Sequence, residues 1–92
     1  MAAQRKVYVG ATLLVQLDCV INVVPSVDNR IEFKAPNGEE IIVPATIVGT
    51  TVLSAPVLLS APGEWCAQTR IMVADVYHFG ETFRFEVSRR YA

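Results

Sequence analysis

The sequence predicts an antiparallel β sandwich with essentially no α-helix. Apolar and polar residues alternate at period two in several runs, as strands with one face on a core require. Turn residues break the chain about every 8–12 residues, and β-branched and aromatic residues concentrate between the breaks, giving about seven short strands.

The elements follow in order. Leu13, Val15, Leu17 and Cys19 point one way, with Leu14, Gln16 and Asp18 between them, and Pro25-Ser26-Val27-Asp28-Asn29 closes the run after it. Ile31, Phe33 and Ala35 alternate with Arg30, Glu32 and Lys34. Pro36-Asn37-Gly38 then supplies a turn with φ > 0, from which Glu40–Val43 returns as a hairpin partner. Pro44 has no N–H to give a ladder, which puts its strand at a sheet edge or on a bulge. Gly49-Thr50-Thr51 breaks the next run, and Pro62-Gly63 ends the segment holding Leu58 and Leu59. Beyond it Trp65, Ala67, Thr69, Ile71 and Val73 share a face, so Trp65 is expected to cap one end of the core beside Phe33 or Phe83. Tyr77-His78-Phe79-Gly80 reads as the link to a last strand, in which Phe83, Phe85 and Val87 point inward.

Ninety-two residues make a single domain, 1–92, with no internal repeat. The net charge of −1 gives no electrostatic reason to expect nucleic acid or an anionic membrane as partner, and the Arg89-Arg90 end reads as solvated. No run approaches the roughly 18–20 apolar residues of a membrane-spanning helix. The start, Met1 to Lys6, leads into Val7-Tyr8-Val9-Gly10 and not into a signal peptide's apolar segment, which predicts a protein made in the cytoplasm. Charged residues are 18% of the chain against a usual value of about 25%, and hydrophobic residues are 52% against roughly 45–50%. A small domain buries a smaller share of its surface than a large one, so this composition leaves apolar surface for a partner. Met72, Ala74 and Val76 make the second face of the Trp65 strand apolar, and Leu14, Ile42 and Val48 repeat the surplus. The expected contact surface is therefore a connected patch of Leu14, Ile42 and Met72, with the surroundings of Trp65 and a Tyr77-His78-Phe79 hairpin tip, burial of Phe79 within the domain being the alternative for that tip.

Candidates for chemistry are few. Cys19 and Cys66 are too few for a disulfide scaffold and too far apart for a metal knuckle. An antibody-type bridge fits poorly: Trp65 directly precedes the second cysteine, and Glu64 stands where a tyrosine corner would be. With Trp65 inward Cys66 faces out, so two free thiols are expected. His78 is the only histidine, and a Cys66–His78 couple has no local signature. Asp18, Asp28, Glu39, Glu40 and Asp75 form no acid pair or calcium loop, and the five glycines sit singly at turns instead of forming a phosphate loop. No catalytic residue, metal or cofactor is expected.

Four segments in order carry a resemblance: Val7-Tyr8-Val9-Gly10-Ala11, Phe33 to Gly38, Ala61-Pro62-Gly63-Glu64-Trp65 with Gln68 and Ile71, and Glu81 to Val87. The chain is similar over nearly its whole length to the small Ig-like β-sandwich domains of tailed-bacteriophage virion proteins, including the N-terminal domain of baseplate upper proteins. That family has a P-D-G hairpin turn, a G-x-W or G-x-Y at the start of a strand and a closing F-x-V. Here Pro36-Asn37-Gly38 departs mildly from the first, since Asn also tolerates φ > 0. The resemblance implies an Ig-like sandwich of about seven strands and a non-enzymatic structural component of the particle in baseplate, tail, neck or head surface. It implies packing in many copies against other virion proteins and copies of itself, location in the virion, and no cofactor. A carbohydrate-binding or host-adhesion module, using Trp65 and Tyr77 as platforms for a glycan, is the rival expectation.

Overall fold

The structure, a computed structural model, describes residues 7–89; the Met1 to Lys6 start and Arg90 of the basic pair lie outside the described residues. The described chain is all-β: β1 (Val7–Tyr8), β2 (Thr12–Asp18), β3 (Val27–Lys34), β4 (Glu40–Pro44), β5 (Thr46–Ile47), β6 (Val52–Leu58), β7 (Gly63–Val73), β8 (Val76–Phe79) and β9 (Phe83–Ser88). Two curled sheets make a sandwich. The larger has the order β1-β9-β7-β3-β4, with β8 also on β7, and the smaller has β2-β6-β5. Strands β9, β7, β3 and β4 facing β2, β6 and β5, with β1 parallel to β9, are compatible with an Ig-like arrangement.

Local chemistry accounts for the hairpins. Gly38 takes φ 89° in the Pro36–Gly38 turn, and β4 returns against β3 with Phe33 opposite Ile41. Strand β4 is an edge of the larger sheet, so Pro44 at its end breaks no ladder there, and the chain crosses to the smaller sheet as β5. The boundary near Pro25–Asn29 differs from expectation: β3 already begins at Val27, and a bulge between Val27 and Arg30 absorbs Asp28 at φ 54°.

The core lies between β3, β6 and β7, and Trp65, Phe33, Ile31, Leu53, Leu59 and Ile71 are its largest members. Trp65 faces inward as predicted, with no exposed surface, and its Nε1–H donates to the Ala61 carbonyl at 2.9 Å. The ring stacked on Trp65 is Phe85, directly opposite in register at 6.3 Å between ring centroids, while Phe33 shares the same core cluster from β3, opposite Ala67. Phe83 stacks on Phe85 at 6.1 Å but is 51% exposed. Alternation placed it on the inner face correctly; burial fails because the three strands of the smaller sheet do not cover that flank of the larger sheet.

The last connection is also corrected. Tyr77, His78 and Phe79 are not a hairpin tip but most of β8, paired with β7 from Val73–Val76 to Arg70–Phe79. The turn is Ala74-Asp75, both at positive φ (52° and 63°), the type I′ geometry that fits strand twist. Ala-Asp is a poor signature for that turn, whereas the Gly80 that suggested a turn sits in the break between β8 and β9. There its N–H donates to the Thr69 carbonyl at 3.1 Å, and its own carbonyl accepts from Gln68 Nε2 at 2.8 Å. A Cβ on Gly80 would lie 2.2 Å from Thr69 Oγ1, a buried residue of the central strand. Gly80→Ala is therefore expected to destabilise the protein by about 1–3 kcal/mol, as overpacking does. Urea unfolding checks this, and a wild-type midpoint would mean that β8 shifts freely.

Candidate interaction surface

Exposed apolar residues gather at one end of the sandwich. β3 starts and β7 ends there, because Val27 is opposite Met72. The loop between β2 and β3 reaches the same end and is tied to the turn between β5 and β6: Cys19 N–H donates to the Thr51 carbonyl (2.7 Å) and Val23 N–H to that of Thr50 (2.8 Å). A cleft of about 110 Å³, lined by Cys19, Ile21, Ile71, His78 and Phe79 among others, joins that loop to β8. Of the thirteen exposed large hydrophobic residues among those described, eight lie here: Val20, Ile21 and Val24 from the first loop, Val27 from the start of β3, Val48 from the second loop, and Val76, Tyr77 and Phe79 from β8. The concentration marks a surface, since scattered exposed hydrophobics would need no explanation.

Backbone geometry holds the loop in this form. Val20 is 82% exposed at φ 66°, a conformation rare for a β-branched side chain. Its N–H donates to Asp18 Oδ1 at 2.7 Å, while the Ser26 hydroxyl lies within donating reach of the Val23 carbonyl and Asn29 Oδ1, its one proton serving one of them at a time, which closes the loop.

Charge on the outer face of the larger sheet anchors β8. Arg70 Nη1 lies 3.2 Å from Glu32 Oε2, its Nη2 3.9 Å from Asp28 Oδ2, and its guanidinium carbon 5.1 Å from the centre of the Tyr77 ring. Arg30 Nε donates to the other Asp28 oxygen at 2.8 Å. Both arginines at this end are thus engaged, whereas Asp18, Asp75 and Glu81 form no ion pair among the described residues. The end is apolar with an acidic rim.

The residues expected to form one patch are separated. Tyr77 lies beside Met72, its register partner, on the outer face of the larger sheet, with Phe79 one row away beside Arg70. Met72 is half-buried under this row, and His78 faces the other way, opposite Ile71. Ile42 is also on the outer face but across the sheet, beside Glu32. There it lines a groove of about 310 Å³ with Glu32, Lys34, Glu40, Cys66 and Gln68. Leu14 projects from the smaller sheet, opposite Pro56, on the other side of the sandwich. No patch can connect Leu14 with Ile42 and Met72, because the outer faces of the two sheets lie on opposite sides of the sandwich. Trp65 leaves the contact surface altogether: with no exposed surface it is core, and it cannot pair with Tyr77 as a platform for a glycan. The loop residues Val20, Ile21 and Val24 were missed, although an apolar cluster just before Pro25 with no alternation was the available signal.

Little else converges. Cys19 and Cys66 are free, and Cys66 on the outer face is separated by the sheet from His78 on the inner face. Among the described residues no three His, Cys, Asp or Glu side chains are placed to hold a metal ion. No protein-family model matches the chain, and no curated protein matches it.

Proposed function

We propose that the protein is a non-enzymatic packing component of a tailed-bacteriophage particle, held against neighbouring virion proteins by the loop and β8 end of its sandwich. The observation that carries the packing role is the gathering there of eight exposed large hydrophobic residues on a hydrogen-bonded loop and an anchored strand. Monomers rarely expose contiguous apolar patches beyond a few hundred Å². The acidic rim of Asp18, Asp75 and Glu81 suits a neighbour whose apolar surface is bordered by Lys or Arg. The assignment to a phage particle is supported by the resemblance in Val7–Ala11, Phe33–Gly38, Ala61–Trp65 and Glu81–Val87.

Mass spectrometry of particles purified from an infected culture that makes this chain tests the reading. Recovery in a fixed ratio to the major structural protein is expected, with a chain carrying Val20→Lys and Phe79→Lys left out of particles although folded. Recovery of the wild-type chain only from the soluble lysate would sink the assignment.

A further inference from the structure

A second surface lies away from the loop end, along the free edge of β2. Among the described residues β2 pairs with β6 alone, on one side. An unpaired edge usually carries Lys, Pro or a bulge that discourages another strand. The seven residues Thr12-Leu13-Leu14-Val15-Gln16-Leu17-Asp18 contain no Lys, Arg or Pro, and their register with β6 runs unbroken from Thr12–Leu58 to Asp18–Val52.

Hydrogen-bond phase determines what this edge offers. Cys19 N–H donates to the Thr51 carbonyl, and Leu59 N–H to that of Ala11, so the odd-numbered residues of β2 face β6 with their backbone groups. The N–H and C=O groups of Thr12, Leu14, Gln16 and Asp18 therefore point away from the sheet. We infer that this edge receives the same edge of a second copy, antiparallel about a twofold axis at Val15. In that register Leu14 meets Gln16 and Thr12 meets Asp18, so each outward-pointing residue of one copy opposes one of the other. No charge faces a charge.

The side chains agree with the backbone. On the inner face the same register sets Val15 against Val15 and Leu13 against Leu17. Leu13 and Leu17 are only half-buried in the single chain, although both pack against the core. A second copy continues the apolar inner row across the edge and covers them. On the outer face Leu14, 62% exposed, and Leu58, 58% exposed, flank Pro56 beside the join. A strand from an unrelated protein would need a matching alternation, whereas a second copy supplies it by symmetry.

The inference deepens the packing reading by naming one partner, and the two fail separately. Sedimentation equilibrium of the full chain is expected to show a reversible rise from 10.1 kDa to twice that mass. Gln16→Pro removes an outward N–H without touching the ladder to β6, and Leu14→Lys adds a charge to an exposed position. Each is expected to weaken the dimer by roughly tenfold or more, with the melting temperature of the dilute protein unchanged. Amide exchange at Leu14 and Gln16 should slow as concentration rises, and Phe79→Lys at the loop end should leave the dimer intact. A wild-type chain that stays monomeric at the highest attainable concentration overturns the inference. So does a dimer that survives Leu14→Lys, or one that Phe79→Lys abolishes, and neither result bears on incorporation into particles.

Discussion

Trp65→Ala is expected to lower stability by about 3–5 kcal/mol, the range for emptying a large aromatic site in a core. A domain this size has roughly 5–15 kcal/mol in total, so the variant loses a large part of it. Two further losses add to the cavity. The Ala61 carbonyl loses the indole N–H that now satisfies it, and Phe85 loses the ring stacked against it. The melting temperature should fall by about 15–30 °C, read by far-UV circular dichroism. Trp65→Phe keeps a ring against Phe85 but not the hydrogen bond, and is expected to fall in between. A fall of under about 5 °C for the alanine variant would mean that the site collapses without a cavity.

Phe33→Ala and Phe83→Ala should differ sharply, although both residues lie on the inner face of the larger sheet. Phe33 is fully buried near the end of β3, between Ile41 of β4 and Ala67 of β7. Its truncation is expected to cost about 3–5 kcal/mol. Phe83 is half-exposed and contributes chiefly its stacking on Phe85, so its loss is expected to cost about 1 kcal/mol. Chemical denaturation of the pair measures the contrast. Equal costs would show that the open flank beside β9 is covered in solution, and a concentration-dependent cost for Phe83→Ala would trace the cover to a second molecule.

Much of the framework was legible because strand periodicity is a local property. Ile31, Phe33 and Ala35 are buried as their alternation required, and Trp65, Ala67, Thr69 and Ile71 share the inner face of β7. The Pro36–Gly38 turn and the edge position of Pro44 followed from backbone chemistry that two or three residues dictate. The candidate surface was legible only in part. Tyr77 and Phe79 are exposed, but as residues of a paired strand, because an Ala74-Asp75 turn at positive φ has no strong sequence signature. The apolar segment around Val20 has no alternation, and its hydrogen bonds to Asp18, Thr50 and Thr51 fold it as a loop.

By itself the sequence determined that the chain is all-β, where most strands lie and which side chains point into the sandwich. Period-two alternation and turn residues suffice for that, since each acts within a few neighbours. Only the tertiary structure decided what covers each face. Phe83 and Val87 share one alternation, yet one is half-exposed and the other buried. Leu14, Ile42 and Met72 all point outward, yet from two different sheets. Coverage depends on which distant strand lies opposite, and pairings such as β2 with β6 or β3 with β7 join residues dozens of positions apart, beyond the reach of any local pattern.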